Sequence, residues 1–308
     1  MVICKNLEEV KQFSNSVVTI GSFDGLHKGH KSVIRQVLSF ANKKSVPSVV
    51  ISFDPHPKTV LTPAFHEKQQ LITTEKKLEI LQQEGIDYVW LIPFDFSFAQ
   101  ITAGTFLKEY LIKYFNPLDI IIGYDHHFGK NQDGNSQFLL SCQKEYGYVL
   151  HVIEPISVNE STISSTGIRH LLKEGKIEDA NAMLGREYEL KGVVVKGAQL
   201  GKILDFPTAN INIDSETQLV PKMGVYCVDA EVDGLRYQGM CNIGKRPTFY
   251  DNGGLTIEVH IFGENTYQLY NKSIILHFKQ FIREEKKYTS ADELISQLNL
   301  DRQVCLSL

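Results

Sequence analysis

The chain has 308 residues, 43% of them hydrophobic and 22% charged, the balance of a globular protein with enough length for two domains, and this excludes a disordered or fibrous class. A formal net charge of −4 excludes the basic footprint of a non-specific nucleic-acid binder. No apolar run approaches the roughly 18 residues of a membrane span.

The opening residues, MVICKNLEEVKQF, carry no basic segment ahead of an apolar one, so no leader is expected. Neither a nucleic acid nor a membrane is expected as a partner, and the expected compartment is the cytosol. Cys4, Cys142, Cys227, Cys241 and Cys305 are scattered, odd in number and never spaced C-x-x-C. That pattern predicts reduced, mostly buried thiols and no structural zinc.

Up to about residue 153, β-branched runs alternate with amphipathic stretches. The runs are VVTIG (17–21), SVVISF (48–53), DYVWLI (87–92), DIIIG (119–123) and YVLHVI (148–153). Between them lie HKSVIRQVLSFANKK, TEKKLEILQQEG, TAGTFLKEYLIKYF and NSQFLLSCQKEYG, each of helical period. Apolar strands separated by helices predict a doubly wound parallel sheet. Helical patterning resumes at SSTGIRHLLKEGKIEDANAMLG, and the α/β domain is expected to span 1–185.

From residue 186 to 308 the period changes. YELKGVVV, GVYCVDAEV, LRYQGMCNIG, LTIEVHIFG and SIILHFKQFI read as strands, with VDG as a hairpin turn, and an antiparallel barrel or sandwich closes that many strands. SADELISQL reads as a terminal helix capped by Ser290, with Glu293 three residues on.

In a doubly wound sheet, ligands bind beyond the carboxyl ends of the strands. The unusual polar residues sit there: GSFDGLHKGH after the first strand, DPHP after the second and GYDHHFG after the fourth. His27 and His30 fall on one face of the first turn of a helix starting near His27, beside unpaired backbone N–H groups. With Gly29 allowing close approach, they make a cradle for phosphates. Asp24 is too acidic for that role and is better placed to orient a histidine or a magnesium-bound water. Surface histidines and turn-forming glycines are the competing explanation for an isolated H-x-G-H; the position after the first strand weighs against it.

His27-Lys28-Gly29-His30, together with Ile163-Ser164-Ser165-Thr166-Gly167-Ile168-Arg169, resembles the nucleotidyltransferase superfamily of adenylyltransferases. The resemblance implies that His27 and His30 contact nucleotide phosphates. It implies that Ser165, Thr166 and Arg169 close over the triphosphate, and that Gly21, Phe23, Asp24 and Gly29 line the nucleotide site. His56 fits a Phe-x-Pro-His-Pro element, although an isolated histidine could equally stabilise a loop. Asp125 is the acidic member of GYDHHFG, where His126 replaces a commoner aromatic.

KGAQLGKILDFPTANINI (196–213) resembles the riboflavin kinase motif of a glycine loop followed by Phe-Pro-Thr-Ala-Asn, and GVY, NIGKRPTF and IEVHIF resemble its later motifs in order. The likeness to bacterial bifunctional riboflavin kinase/FMN adenylyltransferases (FAD synthetases) spans nearly the whole chain. It implies a barrel of riboflavin kinase type and two ATP-dependent steps, riboflavin to FMN and FMN to FAD. Thr208 and Asn210 offer neutral oxygens for Mg²⁺. Glu258 is implied as the general base. Gly197, Gly201 and Lys202 are implied to cover ATP phosphates, and Asn242, Arg246 and Arg283 to bind substrate or nucleotide.

The family usually carries arginine and then glycine where this chain has Lys202 and Asp205. That motivates an alternative: an FMN adenylyltransferase with a C-terminal flavin-binding or weakly active kinase module. A flavin-sensing protein without turnover is the third reading, opposed by His27, His30, Arg169 and Glu258. An aminoacyl-tRNA synthetase, which shares the H-x-G-H type, is disfavoured because no basic RNA-binding region is present.

Overall fold

A computed structural model of the chain describes residues 1–62, 69–158, 161–196, 206–245, 255–263 and 269–308. Two compact units result, Met1–Ser165 and Thr166–Leu308.

The first unit contains β1 (Val2–Cys4), β2 (Ser16–Ile20), α1 (Lys28–Lys44), β3 (Ser48–Asp54), α2 (Pro57–Leu61), α3 (Thr74–Glu84) and β4 (Tyr88–Pro93). Then come α4 (Ala103–Thr105), which runs into a π-wound stretch Phe106–Phe115, and β5 (Pro117–Gly123), α5 (Ser136–Tyr146) and β6 (Val149–Ile153). A short antiparallel ribbon, β7 (Ser157–Val158) with β8 (Ser161–Thr162), ends the unit.

The six-stranded sheet has the order β1-β4-β3-β2-β5-β6, parallel throughout. Neighbouring residues on a strand point to opposite faces, so a sheet covered on both sides needs apolar residues at every position. Val18, Val49 and Ile120 pack with Phe106, Leu111 and Leu139 on one face, whereas Val17, Val50 and Ile121 pack with Ile34, Val37 and Leu81 of α1 and α3 on the other.

β2 lies between β3 and β5. The chain winds one way through β3 and β4 and the other way through β5 and β6, so the carboxyl ends of β2 and β5 flank the switch point. β1, three residues on the sheet edge, was not expected from its short and partly exposed sequence.

The second unit opens with α6 (Ser165–Glu174), whose first residue closes the preceding unit, and α7 (Ile177–Leu184). It continues through β9 (Tyr188–Val195), β10 (Ala209–Ile213), β11 (Gly224–Val232), β12 (Leu235–Lys245), β13 (Leu255–Ile261), β14 (Ser273–Arg283) and α8 (Ala291–Leu306). The strands close into an antiparallel barrel of order β10-β13-β12-β11-β14-β9. Asp233 and Gly234 make the β11–β12 turn with φ of +52° and +79°, the type I′ geometry that matches strand twist. Asn181 of α7 donates to the Phe278 carbonyl at 2.8 Å and accepts from Tyr188 N at 2.7 Å, fixing α7 to β14 and β9.

α8 covers an outer barrel face that presents Cys227 and Met240. Here the expectation of unpaired thiols fails, because Cys227 and Cys305 form a disulfide, while Cys4, Cys142 and Cys241 do not pair. The partners lie 78 residues apart and meet only once α8 folds back on β11, which no local spacing reveals.

Candidate active site

In the first unit, the loop from β2 to α1 sets the geometry. Phe23, Gly25 and Leu26 have φ of +50°, +81° and +37°. For Phe23 and Leu26 this is costly backbone, the kind that persists only where the surroundings impose it. Gly21 N still donates to Ile51 O at 3.0 Å, so the parallel ladder of β2 and β3 runs to the loop's first residue. Asp24 is buried; its Oδ1 accepts from Leu71 N at 2.9 Å and its carbonyl from Ser165 Oγ at 2.9 Å.

α1 begins at Lys28 with His27 as its N-cap, and His27 Nδ1 accepts from His30 N at 3.2 Å. An accepting Nδ1 places the proton of the neutral ring on Nε2, the donor a phosphate oxygen needs. The two imidazoles stack with centroids 3.6 Å apart at 15°, and Phe23 meets the His30 ring edge-on at 5.4 Å. A Cβ at residue 29 would sit 3.2 Å from the His27 ring, so Gly29 gives this imidazole its place across the first helical turn.

The other strand ends carry the remaining candidates. His56 caps the short α2, its Nδ1 accepting from Lys58 N at 3.1 Å, and follows a cis Asp54–Pro55 bond. Asp125 lies just past β5, with its carbonyl oxygen 3.0 Å from His127 Nδ1. The His126 ring stacks on Phe128 at 5.6 Å, and burial, aided by His127, pulls its pKa down to about 4. It is therefore a neutral aromatic surface at physiological pH. Thr166 and Arg169 stand on the first turns of α6, where Arg169 is buried.

In the second unit, β10, β13 and β12 are neighbours, and the register places Asn210 opposite Glu258 and Asn242 opposite Glu258. Directly opposed residues share a face, so the three form one row across three strands. Ile257 and Val259 are buried on the other side, which puts Glu258 on the outer face with Met240 and His260. Thr208 Oγ1 donates to Glu258 Oε2 at 3.3 Å, and Asn242 Nδ2 donates to Glu285 Oε1 at 3.2 Å. The His260 ring fixes the Pro-Thr-Ala-Asn segment through Nδ1 and the Pro207 carbonyl, 2.8 Å apart. Arg283 is bound to Asp301 of α8 through Nε at 3.0 Å and Nη2 at 2.7 Å.

Asp24, His27, His30 and Ser165 thus gather in the first unit, and Thr208, Asn210, Asn242 and Glu258 in the second. Gly197, Gly201, Lys202, Asp205 and Arg246 lie outside the described residues. Among the described residues, no group of three or more His, Cys, Asp or Glu could hold a metal ion. Hydroxyl, amide and single carboxylate oxygens remain, a donor set of the kind magnesium uses together with substrate phosphates. Sequence reasoning did not single out Lys77, Glu285, His260 or Asp301, each of which acts through a partner distant in sequence.

Comparison with known proteins bears on both units. A family model for FAD synthetase matches residues 9–167, and one for riboflavin kinase matches 184–308. Curated bifunctional riboflavin kinase/FMN adenylyltransferases from Listeria monocytogenes and Bacillus subtilis are 34% and 33% identical, each over 94% of this chain and 91% of the relative. A crystal structure from Streptococcus pneumoniae, named there a macrolide-efflux protein, has a TM-score of 0.90 at 31% identity, covering 100% of this chain and 99% of that one. Among the described residues of this chain no helix is long and apolar enough to cross a membrane. With both domains matched in order along nearly all of its length, the chain belongs to the family of bifunctional riboflavin kinase/FMN adenylyltransferases, enzymes that make FMN from riboflavin and FAD from FMN.

Proposed function

We propose that the two activities divide along the chain, with adenylylation of FMN carried by residues 1–185 and phosphorylation of riboflavin by 186–308, in the cytoplasm. In the first reaction an FMN phosphate oxygen attacks the α-phosphorus of ATP and pyrophosphate leaves, with no covalent enzyme intermediate. His27 and His30 donate to the phosphates and stabilise charge as it develops, and Arg169 does the same for the departing pyrophosphate. Gly21, Phe23, Asp24, Gly29, His56, Asp125, Ser165 and Thr166 bind substrate around them.

In the second reaction Glu258 takes the proton of the ribityl hydroxyl as that oxygen attacks the γ-phosphorus and ADP leaves. Asn242, Arg246, Arg283, Gly197, Gly201 and Lys202 complete the substrate contacts. Thr208 and Asn210 would hold Mg²⁺, which when bound neutralises phosphate charge; the support is that Thr208 Oγ1 is 3.3 Å from Glu258 Oε2 and that Asn210 stands opposite Glu258.

The observation that carries the reading is this clustering of hard oxygens around one carboxylate in one unit, against stacked imidazoles at a helix N-terminus in the other. The test is a flavin product assay: purified protein with ATP, with and without Mg²⁺, starting from riboflavin or from FMN, the flavins being resolved chromatographically. FMN and FAD are expected from riboflavin, and FAD from FMN, each only with the metal. FAD from FMN but no FMN from riboflavin would leave an adenylyltransferase alone, and no product from either would end the assignment.

A further inference from the structure

The loop that carries the histidine cradle is held by a lysine. Lys77 lies on α3, is 5% exposed, and directs its ammonium to three oxygens at the ends of β2 and β3. Nζ donates to Ser52 Oγ at 2.9 Å, to the Ser22 carbonyl at 3.3 Å and to the Phe53 carbonyl at 3.3 Å. An ammonium has three N–H donors, and here each has an acceptor.

The place of these bonds matters. The β2–β3 ladder ends with Gly21 N on Ile51 O, and Ser22 is the next residue. Its carbonyl accepts from Lys77 and, at 3.4 Å, from Ser52 Oγ of β3, and the chain then enters the positive-φ residues Phe23, Gly25 and Leu26 that lead to His27. Phe23 in turn sets the edge of its ring against His30. Lys77 therefore ties the start of a strained loop to the end of the neighbouring strand, holding both the Ser22 carbonyl and the Ser52 hydroxyl that reaches it.

We propose that Lys77 is a positioning residue for FMN adenylylation, fixing the β2–α1 loop so that Asp24, His27 and His30 keep their places. This rests on the assignment of FAD formation to the histidine cradle. The charged groups facing Lys77 are Asp24 and Asp54, whose carboxylates oppose the loss of its proton. Burial outweighs them and lowers the ammonium to about 8. Above that pH the third N–H is lost and the clamp loosens.

The test uses the full chain, in which riboflavin phosphorylation serves as an internal control and Trp90, the sole tryptophan, reports the folding of the unit that holds Lys77. Lys77→Met keeps the length of the side chain and removes its donors. Its kcat for FAD formation should fall about 100-fold, the cost of a displacement on the order of 1 Å in a positioned site. The KM for ATP and FMN should move by less than about threefold, and FMN formation from riboflavin should be unchanged. The wild type should lose FAD formation on an alkaline limb centred near pH 8, and Lys77→Met should lack that limb.

His30→Ala run in parallel separates the outcomes. FAD formation lost in His30→Ala but retained above about a third in Lys77→Met overturns the positioning role. FAD formation retained in His30→Ala overturns the cradle assignment itself and this role with it. Should Lys77→Met shift the Trp90 unfolding midpoint, Lys77→Arg decides: kcat of at least about a tenth of wild type supports positioning by the cation, and less overturns it.

Discussion

Replacing Glu258 by glutamine tests the kinase half at the one atom that distinguishes a base from a spacer. Thr208 Oγ1 donates to Glu258 Oε2, so the carboxyl group accepts in the ground state, as a carboxylate must before it can take a proton. Glutamine keeps the length and an accepting oxygen, so the Thr208 contact survives as a neutral hydrogen bond. The row of Asn210, residue 258 and Asn242 keeps its register because it is set by backbone pairing. The expected loss of stability is therefore below about 1 kcal/mol.

The rate is another matter. An amide oxygen cannot take the proton of the ribityl hydroxyl, and removal of a general base costs about 10²- to 10⁴-fold. At about 1.36 kcal/mol per decade this is roughly 2.7 to 5.4 kcal/mol of barrier, several times the ground-state effect. The assay is the initial rate of FMN formation from riboflavin, read beside FAD formation from supplied FMN and a thermal melt. FMN formation should fall by at least about a hundredfold with KM nearly unchanged, while FAD formation and the melt stay put. A Glu258→Gln enzyme that retains more than about a tenth of its kinase rate would refute the role of base.

Three further outcomes are expected. His30→Ala should abolish FAD formation from FMN and leave FMN formation from riboflavin intact; an equal loss of both would show that the activities do not divide between residues 1–185 and 186–308. Asp301 is 1% exposed and ion-paired to Arg283, so Asp301→Ala leaves a guanidinium without its counter-charge and should cost about 3 to 5 kcal/mol. Calorimetry should show a lowered transition for the barrel, with the Trp90 emission midpoint unmoved; a shift in Trp90 alone would count against it. Lys77 titrates near 8 when folded against an ordinary 10.5, so between these values the unfolded chain binds more protons and stability rises with pH. Subtracting the urea midpoints of Lys77→Met from those of the wild type should expose that rise between pH 8 and 10.5, and a flat difference would contradict it.

What the sequence makes legible here is what depends on local spacing. Val17, Val18 and Ile20 read as a strand because both faces of the sheet bury them, and the H-x-G-H spacing reads as a helix start because His27 is the cap and His30 lies within the first turn. The Asp-Gly turn and the Ser290 cap are equally local; Ser290 accepts from Glu293 N at 3.2 Å, while the Glu293 carboxylate goes to Thr289. Contacts between distant residues are not legible. Thr208 meets Glu258 across fifty residues only through the barrel's register, and Cys227 reaches Cys305 only through the docking of α8. Lys77 is the sharpest case. In TEKKLEILQQEG it stands beside Lys76 among charged residues and reads as part of a solvated face, yet Lys76 pairs with Glu79 on the outside while Lys77 is buried beneath the strand ends.

On the proposed assignment, the difference between the two clusters follows from the nucleophiles they would serve. A phosphate monoester carries close to two negative charges at neutral pH and needs no base, so its transfer partner calls for hydrogen-bond donors and positive dipole to offset accumulating anionic charge. Stacked imidazoles at a helix N-terminus would supply that, and the buried carboxylate of Asp24 is turned to a backbone N–H at Leu71. An alcohol is a poor nucleophile until its proton has somewhere to go, so its transfer requires a carboxylate. Glu258 sits accordingly among a hydroxyl and two amides, with the imidazole of His260 committed to the Pro207 carbonyl. Exchanging the two sets of residues would give each reaction the wrong chemistry: a base where none is needed, and donors where a proton must be removed. One chain therefore needs two folds, a parallel sheet that offers a helix terminus at its switch point and a barrel whose register lines up a carboxylate with neutral oxygens.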